Sequence, residues 1–236
     1  MKVFVKSRDI VIPGTLLADG MDYVAGFGTF REGKKIYASR IGLVDVKKNV
    51  IKIVPLAGRY IPKEGDVIIA KVKDITSKGW VLDINSAYGA LMNVRDVTND
   101  YIGRDTDLTK YLKIGDYVVA KIIRVTPNML IDLTMKDKEC RKLTEGRIVK
   151  FNPFKVPRVI GKQGSMINTI KKYLKISLFI GQNGLIWVKG NPEDELIFLD
   201  VLDMIDKQSH TQGLTERVDE YLQKRKSEIE KNIKKQ

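Results

Sequence analysis

Cysteine, histidine and long apolar runs are scarce in this sequence. Cys140 is the only cysteine and His210 the only histidine in 236 residues. A single thiol excludes an intramolecular disulfide and a cysteine-based zinc site, and a single imidazole argues against catalytic triads and histidine-ligated metals. No apolar run reaches the length of about 18 residues expected of a membrane span, and the N-terminus, MKVFVKSRDI, lacks a signal-peptide core. We therefore expect a soluble, cytoplasmic protein that has no membrane contact, binds no cofactor and holds no metal.

Acidic residues are also fewer than basic ones. The chain has 42 Lys and Arg residues against 29 Asp and Glu, which gives a net charge of +13. From Arg147 to Lys189 there are nine basic residues and no acidic one. An excess concentrated in one segment predicts a polyanionic partner, and phosphate contacts are expected in that segment.

Glycines divide the first part of the chain into short strand-like segments. Segments such as YVAGFGTF and NVIKIVPL place apolar β-formers between turn residues, a pattern typical of a small all-β domain. The turn-prone residues Arg59 to Pro62 end it. Since the length allows about three small domains, we place an N-terminal β domain at residues 1–61, a second β domain at 62–142, an α/β domain at 143–213 and a C-terminal helix at 214–236.

The second domain contains an internal echo. The segment GDVIIAKV at residues 65–72 recurs as GDYVVAKI at residues 115–122, 50 positions later. The long separation and the dissimilar sequence between the copies argue against a solenoid repeat, so we interpret the copies as two similar strands of one barrel. Three further strands are predicted at residues 79–84, 88–94 and 129–134. Five short strands of this kind suit the partly open barrel that binds oligonucleotides.

From residue 147 onward, strand-like and helix-like segments alternate in the order β-α-α-β-β-α. Apolar residues at helical spacing predict a helix from Ser165 to Tyr173, with Ser165 as its N-cap. The turn at residues 182–184, QNG, predicts a hairpin, and Pro192 begins another helix. From Leu214 the chain predicts a charged helix with one apolar face that lies on its own domain. A partner-binding helix is the alternative.

The segment VIGKQGSMINTI at residues 159–170 carries the strongest functional signal. Two glycines flank Lys-Gln between two short predicted helices. A glycine has no Cβ, so a nucleic-acid backbone can approach closely, and the amides at the start of the next helix favour a phosphate. We predict an RNA-binding site made of Arg158, Gly161, Lys162, Gln163, Gly164, Ser165, Lys171 and Lys172. Asp in place of Gly161 or Gly164 is expected to weaken RNA binding while the fold is retained.

This α/β segment resembles a KH domain, and Gly161 to Gly164 match the GxxG loop of that family. The resemblance implies that the loop holds the backbone of about four nucleotides while the bases lie in a shallow apolar groove. Val159, Ile160 and Ile180 are candidates to line the groove, and they could equally belong to the core.

Residues 63 to about 137 resemble an S1 domain, a five-stranded RNA-binding barrel, through KGWV at residues 78–81 and YGALMNV at residues 88–94. The resemblance implies that Trp80 stacks on a base, a contact worth about 1 to 3 kcal/mol; a place in the core or in an interface is the alternative. Ser77 and Asn93 depart from an aromatic residue and a histidine of the family. An electrostatic rim could come from Lys71, Lys73, Lys78, Arg95, Lys121 and Arg124.

The domain order, with IPG at residues 12–14, GFGTF at 26–30 and YIP at 60–62, resembles the ribosomal RNA-processing protein 4 family of archaeal exosome cap subunits. The resemblance implies a non-catalytic subunit that binds single-stranded RNA and guides it to a 3'-to-5' exoribonuclease ring. It further implies three copies per complex on a hexameric ring of RNase-PH-like subunits, with the N-terminal domain docked on the ring.

Two other functions are open at this point. A NusA-like transcription factor that binds nascent RNA also has S1 before KH, but it has two KH domains in succession, and after Gly190 this chain has room for one helix and a tail. A nuclease could hold two metal ions on Asp100, Asp105 and Asp107, although a solvated acidic loop fits the neighbouring Thr and Gly residues better.

Overall fold

The computed structural model describes residues 2–98, 103, 106–208, 211 and 213–233. The chain divides into two compact units, Met1–Gly58 and Arg59–Gln236. The second unit begins before the predicted boundary at residue 62, because Tyr60 packs in the barrel core and its hydroxyl donates to the Asp66 carboxylate. In the described part of the chain, no helix is both long enough and apolar enough to cross a membrane.

The first unit is all-β, as the glycine-punctuated pattern predicts. Its strands form two four-stranded sheets that share one core around Leu17, Ile36 and Ile53. Burial alternates along the longer strands, as expected for strands with one face on a core. The strands are β1 (Lys2–Val3), β2 (Ile10–Val11), β3 (Leu16–Asp19), β4 (Val24–Ala25), β5 (Thr29–Glu32), β6 (Lys35–Ala38), β7 (Gly42–Lys47) and β8 (Val50–Pro55).

The barrel follows in the second unit. Its strands are β9 (Val67–Thr76), β10 (Gly79–Asp83), β11 (Gly89–Asn93), β12 (Tyr117–Val125), β13 (Ile131–Thr134) and β14 (Arg141–Leu143). The first five close a barrel in the order β13-β11-β10-β9-β12, because β12 also pairs with β13. This confirms the five-stranded prediction. The sequence pattern did not predict β14, a sixth strand, which among the described residues pairs with β12 alone.

The two copies of the echo pair with each other, antiparallel, in β9 and β12. Ile69 lies opposite Val119, the residue 50 positions later. On either side of this pair the partners are exchanged, with Ala70 opposite Val118 and Ile68 opposite Ala120. An approximate twofold axis therefore passes between Ile69 and Val119.

The α/β domain has the predicted β-α-α-β-β-α order. Its elements are β15 (Arg147–Lys150), α1 (Val156–Ile160), α2 (Ser165–Tyr173), β16 (Ser177–Ile180), β17 (Leu185–Lys189), α3 (Pro192–Gln208) and α4 (Leu214–Ile233). The sheet order is β15-β17-β16, and the helices cover one of its faces. Leu214, Val218 and Leu222 of α4 are buried in this core, which confirms that the C-terminal helix lies on its own domain.

The other face of this sheet packs on the barrel. Leu185 and Trp187 of β17 form one buried cluster with Ile69 and Val119. The indole nitrogen of Trp187 donates to the Glu145 carbonyl at 2.7 Å, which satisfies its polar end beside the interface. The sheet is therefore enclosed by helices on one side and by the barrel on the other.

The turn between β16 and β17 fills the edge of β9 that lies beyond the end of β10. Asn183 is fully buried, and its amide group donates to the carbonyls of Ile69 at 2.7 Å and Ile84 at 2.8 Å. The Ile69 amide donates to the Asn183 Oδ1 at 3.4 Å. Gln182 pairs with Val67 through its backbone amide, at 3.1 Å, and through its side-chain oxygen, at 3.0 Å. These bonds fix the two domains of the second unit to each other.

Candidate nucleic-acid interface

The loop between α1 and α2 is held in an unusual backbone conformation. Gly161 has φ 76° and ψ 170°, Gln163 has φ 54° and ψ 30°, and Gly164 has φ 79° and ψ 11°. Positive φ at these three positions turns the chain sharply, so that the Lys162 and Gln163 side chains are exposed at the tip. The loop is open to solvent where the sequence predicts a backbone clamp.

In the described part of the chain, no side chain caps the start of α2. The N-cap position is Gly164 and no side chain bonds there, so the prediction of Ser165 as the cap was wrong; Ser165 is the first helical residue. The serine cannot cap the helix because it has already adopted helical φ and ψ, and a cap needs an extended residue. The amides of Gly164 and Ser165 donate to the carbonyls of Gly161 and Lys162 within the loop. An anion would therefore meet the amides that follow in the first turn of α2.

The two glycines differ in what a side chain would meet. At Gly161 a Cβ would lie 2.6 Å from the Met166 amide nitrogen, so a substitution there forces the backbone apart. At Gly164 the nearest atom to a Cβ is the side-chain nitrogen of Asn168, at 3.9 Å. The expectation that Asp at either position leaves the fold intact is therefore corrected for Gly161. Gly164 retains space for a side chain, at the cost of its left-handed backbone.

Two of the predicted basic residues lie at this loop, and two do not. Arg158 in the last turn of α1 and Lys162 in the loop are exposed. Lys171 and Lys172 are exposed too, but they lie in the last turn of α2, at the end of the helix away from the loop. Lys172 lies 4.9 Å from the centre of the Tyr173 ring, with its Nζ 3.3 Å from the tyrosine oxygen. This hydrogen bond, the charge of Tyr173 and that of Asp219 hold the pKa of Lys172 above its ordinary value, so the ammonium stays charged at the C-terminal end of α2.

Of the three groove candidates, Val159 is fully buried and belongs to the core of the α/β domain. Ile160 and Ile180 are half-buried. They keep the accessible apolar surface that a base could contact.

Trp80 corrects the prediction of a base-stacking side chain on the barrel. It is 1% exposed and packs in the barrel core, where its indole nitrogen donates to the Leu112 carbonyl at 3.1 Å. Along β10, Trp80 and Leu82 point inward while Val81 and Asp83 point outward. A one-residue difference in register moves a side chain to the other face of a strand. The outward-facing residue of this segment is therefore Val81, and its aliphatic side chain offers no ring on which a base could stack.

Half of the predicted cationic rim of the barrel is ion-paired. The shortest distances are 3.2 Å from Lys73 to Asp83, 2.8 Å from Lys121 to Asp137 and 2.6 Å from Arg124 to Asp132. These lysines and this arginine must leave a carboxylate, or share it, before they can bind a phosphate.

The other three rim residues have different surroundings. Lys71 lies 5.6 Å from the centre of the Tyr117 ring. Lys78 precedes β10 and Arg95 follows β11, so both are exposed at the same end of the β10–β11 pair, where Gly79 lies opposite Asn93.

Of the three carboxylates considered for a nuclease, Asp100 and Asp105 lie outside the described residues, as does His210. Asp107 accepts bonds from the backbone amide of Thr109 at 3.0 Å and from its hydroxyl at 2.7 Å. These bonds lower the pKa of Asp107 and cap a short helical turn, Leu108–Lys110. This gives Asp107 a structural role.

Family models match three segments of the chain in the order of its domains. Residues 8–57 match the N-terminal domain of the exosome RNA binding protein RRP4, residues 59–103 match the RRP4 S1 domain, and residues 146–194 match the KH domain. The matched segments coincide with the first unit, with part of the barrel and with the α/β domain.

Relatives resemble the chain over nearly its full length. The exosome complex component Rrp4 of Pyrococcus abyssi is 46% identical over 232 residues, which cover 97% of this chain and 87% of the relative. The exosome complex component Rrp4 of Methanothermus fervidus is 45% identical over 220 residues, covering 93% of this chain and 97% of the relative. A crystal structure of a candidate exosome complex RNA-binding protein covers 72% of this chain and 98% of its own, with a TM-score of 0.66 and 31% identity.

Proposed function

Since the chain belongs to the Rrp4 family of archaeal exosome RNA-binding components, we propose that it binds single-stranded RNA and guides it to a 3'-to-5' exoribonuclease ring. It acts in the cytoplasm without catalysing RNA cleavage itself, as three copies on a ring of RNase-PH-like subunits. The proposal assigns binding to the chain and degradation to its partners.

The observation that carries the RNA-binding part is the loop at Gly161 to Gly164. Its tip is exposed, and no side chain among the described residues caps the helix behind it. The segment from Arg147 to Lys189, which contains the loop, has nine basic residues and no acidic one. The amides in the first turn of a helix and nearby cations can bind a phosphate together. A sugar-phosphate backbone suits this site, because amides and cations only donate hydrogen bonds and phosphate oxygens only accept them.

Docking on the ring is supported by an apolar surface on the first unit. Ile10 on β2 and Val54 on β8 are opposite Leu43 on β7, and they are 68% and 47% exposed. Ile12 and Ile41, beside the ends of β2 and β7, are exposed as well. Large contiguous apolar patches mark protein interfaces. We assign this outer face of the β2-β7-β8 sheet to the ring.

The experiment incubates the purified chain with labelled single-stranded RNA in the presence of phosphate and of Mg²⁺ or Mn²⁺. We expect binding without degradation. If three to five phosphates are neutralised, the logarithm of the association constant should fall against the logarithm of salt concentration with a slope of about −2 to −4. RNA degradation by the isolated chain would contradict the non-catalytic assignment, and a salt-independent affinity would contradict the electrostatic one.

The docking assignment is tested with the chain and a ring of RNase-PH-like subunits. Val54→Asp should abolish co-elution with the ring while RNA binding by the variant is kept. Retained co-elution of a folded variant would exclude this sheet face as the docking surface.

A further inference from the structure

The outer face of β9 changes character where the α/β domain ends. Val67 and Ile69 face the α/β sheet and pack against it. Lys71 and Lys73 follow on the same side of the strand, because side chains two positions apart share a face, and both are exposed. The barrel therefore presents two ammonium groups immediately beyond the interface.

The α/β domain contributes a third basic residue, Lys150, at the end of β15. Lys150 lies opposite Leu185 in the β15–β17 pair, as Ile148 lies opposite Trp187. Ile148, Leu185 and Trp187 all pack on the barrel. Paired residues of antiparallel strands have their side chains on one face, so Lys150 also points to the barrel side, where it is exposed.

Asp83 lies between the two sets of lysines. Its Oδ2 is 3.2 Å from the Lys73 Nζ, and its Oδ1 accepts a bond from the Asn85 amide at 3.0 Å. Partial burial raises the pKa of Asp83, but the Asn85 amide, Lys73 and the charge of Lys150 outweigh it, and the pKa lies below its ordinary value. Lys71 lies opposite Asp83 in the β9–β10 pair. Lysines from both domains thus surround one ionised carboxylate, and positive charge is in excess.

We propose that Lys71, Lys73 and Lys150 form a phosphate-binding site at the junction of the barrel and the α/β domain, and that RNA crosses from one to the other there. The inference rests on the proposed function and adds a site to it. The bonds of Asn183 keep the spacing of the lysines fixed, so the phosphate meets a preformed site. Asp83 competes with the phosphate for Lys73, and its charge therefore lowers RNA affinity.

The test measures affinity of the full chain for an oligonucleotide of about 20 nucleotides, long enough to span both domains. Asp83→Asn keeps the acceptor for the Asn85 amide but releases Lys73. We expect it to tighten binding about two- to fivefold and Lys150→Glu to weaken it about fivefold or more, with a salt slope smaller by about 0.7. Lys71→Glu should act as Lys150→Glu does.

Asp203→Asn is the matched control. It removes one negative charge from another exposed lysine–aspartate pair, Lys207–Asp203 at 2.6 Å, on α3 at the opposite face of the α/β sheet. It should leave affinity unchanged. Asp83→Asn and Lys150→Glu both behaving like this control would overturn the junction site, even if Gly164 variants still weaken binding and thereby support the RNA-binding function. A chain that binds no RNA at all would overturn both proposals.

Discussion

The buried amide of Asn183 provides the sharpest test of how the barrel and the α/β domain are coupled. Asn183→Ala removes the partner of three backbone groups: the Ile69 amide, the Ile69 carbonyl and the Ile84 carbonyl. The side chain is fully buried, so water cannot replace it without opening the interface. The substitution therefore acts on the contact between the two domains and leaves the core of each unchanged.

The expected loss follows from the number of groups left without a partner. A buried backbone donor or acceptor that loses its partner costs about 1 to 3 kcal/mol, so three of them cost about 3 to 9 kcal/mol if the interface stays closed. This is a large part of the free energy of unfolding of a typical domain, about 5 to 15 kcal/mol. We therefore expect the variant to relieve the cost by separating the two domains. Asn183→Asp keeps the shape but loses both donors, and it should be at least as severe.

Each domain contains one of the two tryptophans in the chain, Trp80 in the barrel core and Trp187 on the barrel-facing side of the sheet. Urea unfolding followed by fluorescence can therefore report on the domains separately, in Trp187→Phe and Trp80→Phe backgrounds. Because each tryptophan substitution itself shifts the midpoint, each background with Asn183 intact supplies its own reference. Asn183→Ala should lower the urea midpoint in both backgrounds, and by different amounts.

Gln182→Ala is the control in the same turn. Gln182 is exposed and loses a single side-chain bond, to the Val67 amide, while its backbone bond to Val67 remains. Its cost should be about 1 kcal/mol or less. Should Asn183→Ala destabilise no more than Gln182→Ala, the buried amide would not be what couples the domains.

Three further outcomes are expected. Gly164→Asp and Gly164→Asn both tolerate a left-handed backbone and differ in charge alone, so the Asp variant should bind RNA about tenfold more weakly than the Asn variant by the coulombic scale of a close phosphate; equal affinities would exclude a phosphate at the loop. Trp80→Phe should cost about 2 to 3 kcal/mol of stability and leave RNA affinity unchanged, and a folded variant with reduced affinity would restore the stacking role. Burial and the bond to Asp66 raise the pKa of Tyr60, so the folded state keeps a proton that the unfolded state loses above pH about 10, and stability declines from there by up to about 1.4 kcal/mol per pH unit. Tyr60→Phe should remove this part of the decline in alkaline unfolding, and an identical slope in both proteins would place the Tyr60 hydroxyl in water.

The sequence predicted the elements well because local signals specify them. Glycine-punctuated strands, the Gly-Asp echo, the QNG turn and the proline at the start of α3 depend on nearest neighbours, and each appears in the structure. The pairing of the echo with itself was within reach too, since two similar strands of one small barrel can lie side by side. The short strand β14 was missed because two of its three residues are charged. It forms by pairing with β12 and has no strand pattern of its own.

Trp80 shows how a motif can override a periodicity that was visible. Trp80, Leu82 and Ile84 alternate with Val81 and Asp83. The single charged residue of this stretch marks the outer face, and it places the tryptophan on the inner one. The resemblance to an aromatic position of the family assigned the opposite face. Counting by twos from Asp83 would have given the observed burial.

Long-range pairs could not be predicted from the sequence. Asn183 bonds to residues 114 and 99 positions away, and the QNG pattern indicates a turn without indicating its receptor. The position of Lys150 next to β9 and β10 could not be predicted either, because those strands belong to another domain. The KH loop was predicted with its correct boundaries, whereas the difference between Gly161 and Gly164 depends on the Met166 backbone behind the first of them.

The approximate twofold axis of β9 and β12 creates two equivalent strand edges that are filled in different ways. β14 covers the edge of β12, whereas the turn at Gln182 and Asn183 covers that of β9. A fragment cut after Leu143 would keep the first cover and lose the second, leaving the backbone groups of Val67 and Ile69 as a bare template for another chain. We therefore do not expect the barrel to stay soluble when it is moved alone into another protein. A chimera that contains the barrel therefore also needs the hairpin of β16 and β17. Without this hairpin, we expect the barrel to self-associate and to be poorly soluble.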